Sequence, residues 1–149
     1  MSSAERKIST LIPLTEEASA MIGLAKINAS KHGRRLAGTQ DYIWVCIKND
    51  SRIKAKLEKH GVNMHTLILN LQASIREPDP EIDLPQNNGL MPGLANAIQQ
   101  AFTIKPAKIS TISSSDIVME IATRKHGVGG LILEEAGFRI KKGRLRTER

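Results

Sequence analysis

Apolar residues return every three or four positions over most of the chain, with polar residues filling the gaps, a pattern that predicts helices. Ala18, Met21, Ile22, Ala25 and Ala29 form a first stripe behind Thr15, whose hydroxyl suits an N-cap. Glu16 and Glu17 follow it at the positive end of the helix, and His32-Gly33 stops it. Past Gly38, Thr39 offers a second cap. Tyr42, Ile43, Val45, Cys46 and Ile47 then make a short helix that is apolar almost all round and belongs in the middle of a core. Trp44 lies on this helix and is expected to be at least partly buried. After Asn49-Asp50-Ser51, Ile53 and Leu57 lead to Gly61, read as a C-cap glycine. Asn63 caps a fourth helix striped by Leu67, Ile68, Leu71 and Ile75. Residues 76–92 hold four prolines and little periodicity, the signature of a linker.

The order of elements then returns. A shift of 76 residues sets Leu14, Ile22 and Ala25 on Leu90, Ile98 and Ala101, and sets Leu57, Glu58 and Gly61 on Leu133, Glu134 and Gly137. Between these blocks a shift of 75 sets Thr39-Gln40-Asp41 on Ser114-Ser115-Asp116. A loop shortened by one residue accounts for the slip. The expected organisation is a polar segment over 1–13, a first unit over 14–76, a linker over 77–89, a second unit over 90–140 and a basic tail over 141–149.

These residues carry a family resemblance. LTEEASAMIGLAKINASKHGRRLAGTQDYI resembles the opening repeat of the N-terminal domain of Clp (Hsp100) unfoldases: a Thr-led helix ending in Gly, a short loop, then Gly-Thr-Glu-His-Leu-Leu. IKAKLEKHGV and GGLILEEAGF resemble the Leu-Glu-x-Leu-Gly segment that closes the third helix of each repeat. The resemblance spans residues 14 to about 140. It implies an all-α fold, a pseudo-twofold tandem of two four-helix repeats. The second repeat offers only Arg139-Ile140-Lys141-Lys142-Gly143 for its fourth helix, so that helix is expected to be short or absent. The apolar surface thereby uncovered would favour weak self-association or a partner helix.

Charge changes the picture less than its total suggests. The 149 residues carry a net charge of +7, but five of those charges come from residues 139–149, leaving the body nearly neutral. A basic end of this kind is more often a solvated tail than a nucleic-acid contact, so a nucleic-acid partner is not expected. A minority reading would use the tail with Lys31, Arg34 and Arg35 for that purpose. No apolar run approaches the roughly 18 residues of a membrane span, and no leader opens the chain, so a cytoplasmic protein without membrane contact is expected. One cysteine allows no internal disulfide.

Candidate chemistry is sparse. No G-x-x-x-x-G-K-[ST] string occurs, so the chain has no phosphate-cradling P-loop for ATP hydrolysis. Glycines 127, 129 and 130 read as a helix start and a site of close packing. His32, His60, His65 and His126 lie on four elements without a ligand spacing, so no metal or cofactor is expected. Cys46 reads as an inert core thiol. Serines 110, 113, 114 and 115 before Asp116 read as a helix cap, and no catalytic residue is proposed.

What the resemblance implies instead is binding. Domains of this family dock substrates or adaptors, and in some members pockets made by the first-helix Thr and the motif Glu take up phosphorylated arginine. Thr15 matches that Thr, but Gln40 replaces the acid; in the second copy Met91 and Ser115 stand at the two positions, and Asp41 and Asp116 replace the motif His. Without the acids a guanidinium loses the charge-assisted part of its hydrogen bonds, so phosphoarginine recognition is not expected. The resemblance thus implies a non-enzymatic module that binds a substrate, an adaptor or a Clp ATPase through a groove beside the first helices, rimmed by Thr15, Arg34, Thr39 and Gln40. The alternative within the same fold is a secretion-system interaction protein.

Overall fold

The computed structural model describes residues 13–77, 89–104 and 111–140. Among them the chain forms seven α-helices and no strand: α1 (Glu16–Lys31), α2 (Thr39–Asn49), α3 (Ser51–Lys59), α4 (Met64–Ile75), α5 (Pro92–Ile104), α6 (Ser114–Arg124) and α7 (Gly127–Glu135). No described helix is long and apolar enough to cross a membrane. The expected polar start except Pro13, all but the ends of the expected linker, Ser110 and the basic tail lie outside the described residues. From Ala136 to Ile140 the chain is not helical, and whether a short helix follows also lies outside them.

Side chains next to the helix starts explain where the helices begin. The first N–H groups of a helix have no partner within it, and polar side chains supply one. Thr15 accepts from the N–H of Ala18 at 3.0 Å, Asp50 from Arg52 at 2.9 Å, Asn63 from Thr66 at 3.0 Å and Ser113 from Asp116 at 3.1 Å. The carboxylate of Asp116 returns the bond by accepting from the Ser113 N–H at 2.8 Å, which closes a reciprocal cap. Thr39 departs from expectation. Gly38 holds the cap position of α2, and Thr39 is the first helical residue with its hydroxyl committed elsewhere.

The core gathers around α2, which packs against α1, α3, α4 and α7, while α6 packs against α5 and α7. Tyr42, Ile43 and Cys46 of α2, Leu67 and Leu71 of α4, Leu94 of α5, Ile117 and Ile121 of α6 and Leu133 of α7 are all fully enclosed. Trp44 is half-buried, with the Lys48 ammonium 5.0 Å above its ring.

Contacts between the two halves come in reciprocal pairs. Thr15 N–H donates to Ile112 O at 3.0 Å, and Met91 N–H to Ala37 O at 2.8 Å. Ile112 N–H donates to Pro13 O and Ala37 N–H to Gly89 O, both at 2.8 Å. Asn63 N–H donates to Ala136 O, and Arg139 N–H to His60 O, again both at 2.8 Å. Within each pair the corresponding residues stand 75 or 76 positions apart, the offset read in the sequence. Gly61 and Gly137, related in the same way, touch each other. A Cβ on Gly137 would sit 2.7 Å from the Gly61 carbonyl oxygen, and φ values of 92° and 110° put both in the region that favours glycine.

The pairing has one clear exception. α2 and α7 are in close contact, whereas α6 and α3, which stand at the corresponding positions, make little contact with each other.

Candidate functional site

The residues that the sequence assigned to one groove fall into three separate places. Arg34 is not on a rim. It is buried, and its guanidinium donates to both oxygens of the buried Asp41, one of them at 2.8 Å, while its Nε donates to the Ile75 carbonyl at 3.1 Å. Asp41 also accepts from the Asn28 amide and the Gly38 N–H, each at 2.8 Å. One carboxylate therefore ties α1, the loop before α2, and through Arg34 the end of α4. A charge pair so enclosed and so fully bonded is a structural tie, unavailable to a ligand or a nucleic acid.

Thr39 and Met91 lie along the closed side, with Gln40 next to Thr39 at the start of α2. The Thr39 hydroxyl accepts from the Gly129 N–H at 2.7 Å, so a residue of α2 caps α7, whose own preceding residue, His126, supplies no side-chain cap. Glycine permits this approach. A Cβ on Gly129 would lie 2.7 Å from Ile43 Cδ1 and 2.8 Å from the Thr39 carbonyl carbon, and one on Gly93 would lie 3.1 Å from Gly127 Cα. The α2–α7 seam leaves no room for a ligand.

Thr15 and Ser115 lie on the other side, which is open. Here the first turns of α1, α3 and α6 face a cleft of about 320 Å³ lined by Glu17, Asp50, Arg52, Ile53, Lys56 and serines 113 to 115. Ser114 occupies the place in α6 that Thr39 occupies in α2. Its hydroxyl is buried and caps no helix: it faces the Glu17 carboxyl, while α3 presents Ile53 where α7 presents Gly129, and Asp50 already caps α3. A side chain at that point, with α3 capped by its own preceding residue, leaves the two helices apart.

The electrostatics of the cleft centre on two neighbouring carboxyl groups. Arg52 donates through Nε and Nη2 to the two oxygens of Asp50, both at 3.2 Å, and its Nη2 lies 3.6 Å from Glu17 Oε2. Hydrogen bonding to Arg52, and then to Glu17, holds the Asp50 carboxyl down at about 2. Glu17 moves the other way: its hydrogen bond with Asp50 and partial burial push it above the ordinary 4.5. The two neighbouring carboxyls are thus pushed apart in titration, Asp50 downward and Glu17 upward. Lys56 reaches over the rim to Ser115 at 3.4 Å.

Of the residues named from sequence, Thr15 and Ser115 fall beside this cleft, and Glu17, Asp50, Arg52 and Lys56 were missed. The offset of 75 residues that pairs Thr39 with Ser114 is a signal that could have led to them. A hydroxyl in the first turn of both second helices invites the question of what each one meets.

No nucleophile emerges among the described groups. Burial pushes the Cys46 thiol up, away from the thiolate that would react, and does the same to the Tyr42 hydroxyl. His32 and His60 each bond a carbonyl of their own helix, and His60 stacks on Phe138 at 5.2 Å. His126 meets the buried Glu120 at 2.9 Å, with Arg124 on the other carboxylate oxygen at 2.6 Å. No described group of three or more His, Cys, Asp or Glu side chains is placed to hold a metal. No family model, curated protein or solved structure matches the chain.

Proposed function

We propose that this chain is a non-enzymatic protein-docking module of the Clp N-terminal kind, a pseudo-twofold tandem that receives a substrate, an adaptor or a Clp ATPase. The observation that carries this reading is the one-sided opening between corresponding helices. The α2–α7 seam is closed by a hydroxyl and glycines, and its counterpart between α3 and α6 is left as a cleft beside Thr15 and Ser115. Paired contacts 75 or 76 residues apart support the tandem. The docking surface is this cleft and its rim, replacing the groove edged by Arg34 that the resemblance implied. Arg34 is also lost to the nucleic-acid reading, which keeps Lys31, Arg35 and the tail.

The test places a photocrosslinking residue at Ser115 beside the cleft, and another at Lys59 as a control, in the full chain exposed to purified candidate adaptors and Clp ATPases. Crosslinks from Ser115 alone, resistant to high salt, are expected. Binding that collapses with salt and follows nucleic acid would overturn the reading in favour of the basic alternative.

A further inference from the structure

The sequence holds two blocks of opposite charge. Residues 77–104 contain Glu77, Asp79, Glu81 and Asp83 and no lysine or arginine, while residues 139–149 contain six bases and one acid. Ile82 and Leu84 stand among the acids, so the acidic block also has apolar side chains to bury. Blocks of this kind commonly serve as interaction segments.

The basic block begins at a pocket. At the opposite end of α6 from the open cleft, a hollow of about 350 Å³ has Ala122, Phe138 and Ile140 for its apolar part and Lys125, Glu134 and Arg139 for its charged part. It corresponds to the place where α4 starts in the first half. Asn63 caps α4 there; Arg139, 76 positions on, stands where that cap would be and has no side-chain acceptor. Arg139 is exposed, and its guanidinium donates to the uncharged Phe138 carbonyl at 2.7 Å. Lys125 lies 3.7 Å from Glu134 with both side chains about half exposed, a spacing that contributes little and that a closer carboxylate would outcompete.

We propose that this pocket receives the acidic block, residues 77–84, of a second copy of the chain, with Ile82 and Leu84 covering the apolar part and the acids beside Arg139 and Lys125. Its own chain cannot supply the block. Both ends of that stretch are tied near the start of α2, because Arg34 donates to the Ile75 carbonyl and the Ala37 N–H to the Gly89 carbonyl. The pocket adjoins the other end of α4, where the Arg139 N–H meets the His60 carbonyl, and the 12 residues of α4 put that end roughly 18 Å away. Residues 78–88 would have to run out and back over about 36 Å against a fully extended reach of about 40 Å, with nothing left to pass round the helices or lie in the pocket. Two copies that exchange their acidic blocks close a symmetric pair and fill both pockets. The inference does not rest on the docking reading, which concerns the other end of α6.

Sedimentation of the full-length chain provides the test. Self-association with a dissociation constant on the order of 100 μM at low salt is expected, weakened about tenfold or more by roughly 0.5 M NaCl. Arg139→Glu should leave a monomer up to about 1 mM, and so should the combined change Asp79→Lys, Glu81→Lys and Asp83→Lys. An equimolar mixture of these two variants should associate again, since both exchanged contacts are then between opposite charges. Melting curves verify that each variant is folded. A synthetic peptide of residues 76–85 should shift the backbone amides of Ala122, Lys125 and residues 138–140 in NMR spectra, and the same peptide with amides in place of its acids should not. A parent chain that is monomeric throughout, association that survives Arg139→Glu, or folded variants that fail to associate when mixed would each overturn the proposal. Amide shifts in the pocket between parent and lysine variant that persist in dilute monomer would place the block in its own chain and overturn it as well. A short oligonucleotide that shifts the same amides at lower concentration than the peptide would reassign the surface to nucleic acid.

Discussion

Thr39 and Ser114 carry the same small hydroxyl at corresponding positions and should differ when it is removed. Thr39→Val strips the cap from the Gly129 N–H and should lower stability by about 1–2 kcal/mol in urea melts. Ser114→Ala removes a buried hydroxyl that caps no helix and meets only the Glu17 carboxyl, so its melt should move less than that of Thr39→Val. Equal losses in the two variants would contradict the assignment. The Arg34–Asp41 tie gives a larger effect. Asp41→Asn leaves a guanidinium enclosed without its counter-charge and should cost about 3–5 kcal/mol, whereas replacing both residues together, Arg34→Met with Asp41→Leu, should cost less. Glu17 supplies a pH dependence. Its folded carboxyl titrates above the unfolded value, so the charged form is disfavoured in the fold, and native stability falls as pH rises through that range. Glu17→Gln should therefore melt slightly higher than the parent at neutral pH, and the two should converge as pH drops below the Glu17 titration. Asp50 runs opposite: held down at about 2, it adds stability that is full above the ordinary 3.8 and is lost as pH falls from there through about 2. At this scale the sequence was legible where a side chain acts on its own helix, as Thr15 and Asn63 do. Thr39 was misread because a threonine suits the cap position and the first turn equally well, and the residue that decides, Gly129, lies 90 positions away.

Elements were the most legible scale, because stripes and caps are local. The boundaries of α1 and α4 follow from Thr15, Gly33, Asn63 and Ile75 as the sequence stood. What periodicity could not reveal is how close two helices come. Gly129 looks like a weak point in α7, yet it is the place where α2 approaches. Gly129→Ala should therefore destabilise by about 1–3 kcal/mol through overpacking against Ile43 and Thr39, although alanine is the better helix former. A gain in stability would show that the seam yields. Trp44, partly buried as its helix led one to expect, should lose roughly 2 kcal/mol on replacement by alanine, below the range for a fully enclosed aromatic. Denaturant melts decide both.

For the whole molecule, the crossed hydrogen bonds mean that neither half satisfies its own backbone. Asn63 needs Ala136, and Arg139 needs His60. Residues 1–77 and 89–149 made as separate chains should each show little cooperative melting, and mixing them should restore helical circular dichroism. Independent folding of either piece would contradict the interdependence. The residues that cross stand at the 75- or 76-residue offset read in the sequence, although that offset alone did not say that they would meet. The open cleft was not legible, because it arises from a difference between corresponding positions, Ile53 against Gly129, and similarity was what the comparison sought.

The hydroxyl that reaches from α2 to α7 also bears on the order in which parts of the protein open. Three of the nine residues of α7 are glycines, each less favourable than alanine in a helix by roughly 1 kcal/mol, so α7 has little tendency to be helical by itself. Its amide protons should then exchange with solvent only when α2 lets go, at rates matching the slowest in the protein. The protons of α3, which carries its own Asp50 cap and exposed lysines, should exchange sooner through local fraying. Thr39→Val should split this unit, moving the α7 amides to faster exchange while those of α2 stay slow.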